Sequence, residues 1–238
     1  MSDKAIIIER TDKDLSALSG LIFFDDLITR LNLIGDLGRI LPHKQRATGL
    51  VPKNKFLTGM LSFIAGADCL DDLDDLRQDS VFRHLSNGGV ASTTMGKFVW
   101  YFRLKHIKNL QKYLPRLALQ LREKFAIRDN HFVITMDSTP HEQYGLQIEG
   151  VEFDYANHWC LNSQNAFDQY GFCYGWDLRN GGTYSGNGAE LMIENIFKTI
   201  PKSCPRYFRA DSAYSSLGIY NSLLVNNVNF AICLKENV

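Results

Sequence analysis

Two short stretches with the same grammar constrain this chain more than any other feature. Phe132-Val133-Ile134-Thr135-Met136 is an apolar, β-branched run that ends on Asp137 and turns at Pro140. Tyr207-Phe208-Arg209-Ala210 is a second such run, and it ends on Asp211. Each reads as a strand that delivers one aspartate to its carboxyl end. In open α/β sheets that edge is where loops and helix N-termini converge and where chemistry sits. On neighbouring strands the two aspartates form an anionic cup. Such a cup is electrostatically poor alone and natural for Mg²⁺ or Mn²⁺, which take hard oxygen ligands. Either aspartate by itself has an ordinary structural reading, because aspartate favours turns and caps. The pair gains its weight from what surrounds it.

From residue 131 onward the pattern is strand-rich. Strands are expected at 132–136, over a broken run at 151–157 and 159–163, at 171–178 where Phe172, Tyr174, Trp176 and Leu178 alternate, at 207–210 and at 230–234. A turn rich in Gly, Ser and Asn covers 180–187, and helices are expected at 188–200 and 216–226. The order β-β-β-α-β-α-β is the layout of a ribonuclease H-like mixed sheet, with one carboxylate on its first strand and one on its fourth. The expected fold is therefore α/β, with this core over 131–238 and an all-α region over 1–130.

The first 130 residues read differently. After a polar start with a short strand expected at 5–8, apolar residues at helical spacing over 15–41 are punctuated by Gly35 and Gly38, which predicts two short helices. A basic loop at 43–55 carries Lys44, Arg46, Lys53 and Lys55, which suit phosphate contacts and suit a solvated loop equally. A buried helix is expected at 56–66. Leu70, Leu73 and Leu76 then recur among aspartates, an amphipathic helical segment with an acidic face. It lacks the central glycine and terminal glutamate of a calcium loop. Ser92 caps a further helix, and residues 97–128 hold nine Lys and Arg against Glu123 alone. Lys97, Arg103, Lys105 and Lys108 belong to that run, whose single-signed charge on an amphipathic helix is an electrostatic footprint for DNA. A solvated helix face is the alternative. Residues 126–130 read as a linker.

Charge supports the division. Residues 1–130 hold 20 Lys and Arg against 15 Asp and Glu, while residues 131–238 hold 6 against 11. The first half suits nucleic acid and the second a cation site. Five widely spaced cysteines without a CxxC pair suggest neither a zinc site nor a disulfide framework. No signal peptide is evident, and no apolar run approaches the ~18 residues of a membrane span, so a cytoplasmic chain without a membrane partner is expected.

These motifs, in this order, resemble the DDE-type transposases of bacterial insertion sequences. Four stretches carry the resemblance: Asp71-x-x-x-Asp75-Leu76-Arg77-x-Asp79-Ser80-Val81-Phe82, Asp137-Ser138-Thr139, Leu178-Arg179-Asn180-Gly181, and Arg209-Ala210-Asp211-Ser212-Ala213-Tyr214. The resemblance implies Asp137 and Asp211 as ligands to Mg²⁺ or Mn²⁺, transposon-end and target DNA as substrates, and a homo-oligomeric active complex. Arg179 and Arg209 lie beside the same sheet edge, as phosphate contacts or as structural salt bridges. The family's third acid is a glutamate on a helix beyond the last core strand. Glu236 is the one acid that follows that strand here, outside the family's pattern, and Glu190 and Glu194 read as solvent-facing. The expectation is therefore a partial transposase, catalytically weak alone, with an exposed apolar edge at 230–234. Two alternatives are a non-catalytic DNA-binding protein or inhibitor, and a metal-dependent nuclease or phosphatase whose third ligand is Glu190, Glu194 or Glu236.

Overall fold

The computed structural model describes residues 15–35, 37–43, 49–145, 147–154 and 156–234. The expected strand at 5–8, Lys44, Arg46 and Glu236 lie outside the described residues. Two compact units divide between His106 and Ile107.

The helical unit contains α1 (Leu21–Arg30), α2 (Leu37–Ile40), α3 (Pro52–Ile64), α4 (Asp72–Leu76), α5 (Ser80–Leu85) and α6 (Ser92–Trp100). Its core gathers one apolar residue per turn from most of these: Leu21, Ile28, Leu37, Leu61, Leu73, Phe82, Met95 and Phe98 are all buried. Polar caps fix the short helices. The Asp79 carboxylate accepts the Phe82 N–H at 2.9 Å and the Ser16 hydroxyl at 2.7 Å. Asp74 accepts the Ser92 hydroxyl and so ties α4 to the start of α6. The transposase-like signature at 71–82 is thus two short helices, the second capped by Asp79.

The basic run at 97–128 is not one helix. It breaks after Trp100 and resumes as α7 (Leu104–Lys124), whose entry is capped by the His106 ring accepting the Arg103 N–H at 2.9 Å. Most of α7 packs with the sheet: Ala118 is in the sheet core, and Arg122 forms a buried ion pair with Asp168 at 2.7 Å. The division therefore falls well before the expected linker at 126–130. Amphipathic spacing shows that a helix has a buried face but not which partner buries it.

The sheet unit holds β1 (Phe132–Glu142), β2 (Glu152–Phe153), β3 (Trp159–Phe167), β4 (Cys173–Asn180), α8 (Ala189–Thr199), β5 (Arg206–Ala210), α9 (Leu217–Val225) and β6 (Asn229–Ile232). β4 and β2 flank one side of β3, and the order continues β3-β1-β5-β6. β1, β3 and β4 pair antiparallel, whereas β5 runs parallel to β1 and β6 parallel to β5. Helices α8 and α9 make the crossovers that parallel pairing demands. This is the ribonuclease H-like arrangement. The broken strand expected over 151–163 is the two-residue β2 and a separate, longer β3.

One face of the sheet is covered. Phe132, Ile134 and Met136 of β1, Phe208 and Ala210 of β5, Ala166 of β3 and Tyr174 of β4 pack against Ala118 of α7, Ile193, Ile196 and Phe197 of α8, and Ile219 and Leu223 of α9. Buried Arg206 holds the helix ends down, donating to the carbonyls of Phe197, Asn226 and Asn227. Those are the orphan acceptors that every helix C-terminus leaves. At the β6 edge Phe230 stacks on Tyr220 with ring centroids 5.4 Å apart, and Leu234 is 77 % exposed.

β1 does not end at Asp137. It continues through Pro140 to Glu142, paired with β3 throughout. Its pairing with β5 stops at Thr135, so beyond that point β1 is an edge strand, the one place in a sheet that tolerates proline.

Candidate active site

The parallel register of β1 and β5 builds the site. Val133 pairs with Tyr207 and Thr135 with Arg209. Two residues beyond Thr135 and Arg209 stand Asp137 and Asp211, on the face away from the helical core. The register therefore carries both aspartates to the same end of neighbouring strands, just past the last paired residues. Both residues are exposed.

Each carboxylate is held by the backbone that follows it. The Ser138 N–H donates to Asp137 Oδ1 at 2.7 Å, and the Ala213 N–H donates to Asp211 Oδ1 at 2.9 Å. Asp211 thereby caps the single 3₁₀ turn Ser212–Tyr214. Among the described residues the second oxygen of each takes no hydrogen bond. Two hard anionic oxygens aimed outward suit Mg²⁺, which is commonly held by one or two carboxylates with water and substrate phosphate completing its shell. The donor set therefore fits the divalent cation expected from the sequence.

Tyr214 lies buried behind the pair. Burial pushes its hydroxyl up to about 12, against the Gln164 amide and the Arg179 guanidinium, and the charges of Asp137 and Asp211 both add to the rise. It stays neutral at physiological pH.

Arg209 and Arg179 have different surroundings. Arg209 stands on the same face as the aspartates, with its Nε donating to Thr135 Oγ1 at 3.0 Å. Arg179 turns inward: its Nη1 faces the carbonyl oxygens of Ser185 at 3.2 Å and Asn187 at 2.8 Å, and its Nη2 donates to Asn162 Oδ1. Several neighbours of the site carry no signal in the sequence. Asn165 sits opposite Asp137 on β3 and donates to Thr139 at 3.2 Å and Ser163 at 3.1 Å. Ser185 bonds Ser138 hydroxyl to hydroxyl at 2.7 Å. Strand pairing at Asn165 and the fold-back of the loop at Ser185, neither of which a lone sequence displays, bring them together.

A third acid does not join the pair among the described residues. Glu190 stands over the start of α9, where a Cβ on Gly218 would meet its carboxylate, and Glu194 pairs with Lys198 at 2.8 Å. Among the described residues, the one group of three ligand-type side chains within coordinating reach of one another is Asp68, Cys69 and Asp72 in the helical unit. There the Asp72 carboxylate accepts the N–H groups of Asp68 and Cys69, an ordinary local cap.

Lys97, on α6, and Arg103 and Lys105 are exposed in the helical unit, and Lys108, on α7, is exposed in the sheet unit. No ion pair engages them among the described residues. Partial burial, then the positive charges of Lys105, Arg103 and His43, push the His106 imidazole below its usual value. Among the described residues no helix is long and apolar enough to cross a membrane.

The family described as Transposase DDE domain group 1 matches residues 1–238. The chain belongs to that family. No curated protein sequence matches it. Among solved structures, this transposase-family chain is similar to the piggyBac transposase in a synaptic complex with hairpin DNA: 12% identity and a TM-score of 0.38, covering 93% of this chain and 51% of that one. It is also similar to the Mos1 transposase in a paired-end complex with the left transposon end, at 10% identity and a TM-score of 0.29 over 79% of this chain and 61% of that one. A Mos1 paired-end complex with Mn gives 11% and 0.30 over 90% and 76%. The chain thus spans about half the length of the piggyBac chain it matches.

Proposed function

We propose that this chain serves DNA transposition by metal-dependent phosphodiester transfer, with Asp137 and Asp211 as the ligands of Mg²⁺ or Mn²⁺. The observation that supports the reading is the β1–β5 register, which brings two exposed aspartates to one end of neighbouring strands in a chain of the transposase family. Divalent cations at such a site sharpen an attacking hydroxyl and neutralise the leaving oxygen of a phosphodiester. The chain's own residues supply placement. Strands hold ligands more firmly than loops do. The Ser138 and Ala213 N–H groups fix the rotation of each carboxylate, and Arg209 presents a cation to a backbone phosphate at the same edge.

Transposon-end and target DNA are the proposed substrates, in a complex of several copies. Lys97, Arg103, Lys105 and Lys108 are the proposed phosphate contacts, because they are exposed and unpaired among the described residues. Replacing these four with glutamine is expected to weaken DNA binding and flatten its salt dependence, by about 0.9 log unit of slope for each phosphate no longer neutralised. A binding titration across salt concentrations checks this, and an unchanged slope refutes it.

Cleavage is a separate test. With two acids at the site among the described residues, cleavage by this chain alone is expected to be at least about 100-fold below that seen when a third acid is supplied in trans, since a loss of order 1 Å in placement costs that much. A strand-cleavage assay on end DNA with Mn²⁺ measures it. Robust cleavage by the chain alone, lost on Asp137→Ala, would show that a third ligand is already present. DNA binding without cleavage under either condition would favour the non-catalytic reading.

A further inference from the structure

An arginine beside a DNA-processing site is ordinarily read as a phosphate contact, but Arg179 is committed inward. Its Nη1 faces the carbonyl oxygens of Tyr184 at 3.5 Å, Ser185 at 3.2 Å and Asn187 at 2.8 Å, and its Nη2 donates to Asn162 on β3. Three carbonyls converging on one point repel each other unless a cation lies between them. A planar guanidinium supplies several donors in a fixed fork, whereas a lysine supplies a single point charge. Arg179 is therefore what gives the 184–187 loop its shape.

That loop touches both aspartate-bearing strand ends. On one side the Ser185 hydroxyl bonds the Ser138 hydroxyl at 2.7 Å, one residue from Asp137, and the Ser185 carbonyl accepts the Gln164 amide at 2.8 Å. Gln164 sits opposite Ser138 in the β1–β3 register. On the other side Gly186 lies so close to the turn after β5 that a Cβ on it would stand 2.7 Å from the Ala213 carbonyl oxygen. Ala213 is the residue whose N–H fixes the Asp211 carboxylate. The loop spans the interval between the two acids, and only a glycine allows the second approach to close.

We infer that Arg179 is a positioning residue: it braces the 184–187 loop as a strut between the ends of β1 and β5 and thereby sets the separation of the Asp137 and Asp211 carboxylates. This inference rests on the metal reading proposed above. Its partner is the divalent cation rather than DNA, although the arginine touches neither.

The test is Mn²⁺ binding by the full chain, followed by electron paramagnetic resonance, with urea unfolding run in parallel. Arg179→Ala is expected to lower Mn²⁺ affinity about 10-fold or more, the usual cost of removing a group that orients a ligand. Arg179→Lys, which restores charge without the fork, is expected to recover only part of that loss. Ser185→Ala leaves Arg179 in place and severs the link to Ser138. It is expected to lower affinity in the same direction with an unchanged urea midpoint, which a purely structural role would not do. Should Arg179→Ala fail to fold, Ser185→Ala decides. Wild-type affinity in Ser185→Ala, with binding lost in the Asp137→Asn control, overturns the strut. Wild-type affinity in Asp137→Asn overturns the metal reading instead, whatever the loop variants do.

Discussion

Asp137→Asn and Asp211→Asn are each expected to abolish stabilisation of the protein by Mn²⁺ while leaving the metal-free fold intact or slightly firmer. The metal-free half follows from charge. Two carboxylates gathered at one sheet edge repel each other, and removing one charge relieves that repulsion. Asparagine keeps an oxygen to accept the Ser138 or Ala213 N–H that each aspartate now accepts, so the local turns survive. The metal half follows from mass action. An ion that binds only the folded state, at 100 times its dissociation constant, stabilises by about 2.7 kcal/mol. A variant that has lost a ligand forgoes it. The measurement is thermal or urea unfolding of the three proteins in chelator and in excess Mn²⁺. Opposite signs in the two buffers are the signature. Equal stabilisation of wild type and both variants would remove Asp137 and Asp211 from the metal site. In any cleavage assay that works, the same substitutions are expected to cost at least about 1,000-fold, because metal charge stabilisation is worth several kcal/mol and each 1.4 kcal/mol is tenfold.

The largest loss of stability is expected at Asp168. Its carboxylate is fully buried, and so is nearly all of the Arg122 side chain that pairs with it. Arg122 also donates to the carbonyls of Asp129 and His131, and its guanidinium lies 4.3 Å from the centre of the Phe132 ring. Asp168 in turn accepts the N–H groups of Tyr170 and Phe172, which shapes the β3–β4 turn. This network fastens α7 to the start of β1 and to that turn. Removing one partner strands a buried charge, which costs about 3–5 kcal/mol. Asp168→Asn is the sharper variant, since the amide retains an oxygen for the turn but removes the countercharge. A fall in the urea midpoint amounting to less than about 1 kcal/mol would mean that water reaches Arg122 and that the pair is not the fastening described. Replacing both partners with apolar residues of similar size is expected to recover much of the loss, because the desolvation of both charges is then avoided.

The sequence alone disclosed what is written in local periods. Short apolar runs, and alternation at 171–178, located the five principal strands, their order with the intervening helices implied a ribonuclease H-like sheet, and Asp137 and Asp211 stood out as candidate ligands. Those features depend on neighbours two to four positions away, and a lone sequence displays them. Pairing across long separations was left to the tertiary structure. Thr135 and Arg209 meet although they stand 74 positions apart, and that meeting brings the strands that carry Asp137 and Asp211 together. The extension of β1 through Pro140 depends on which neighbour it loses, not on its own residues. The amphipathic pattern of α7 declared a buried face, but only packing showed that the sheet unit covers it, through Ala118 and Arg122. Arg179 shows the same limit most plainly. Its charge suited a phosphate or a structural salt bridge, and its direction was decided by three carbonyls of a loop that folds back over it. Charge is a property of the residue, but what a charge faces belongs to the fold.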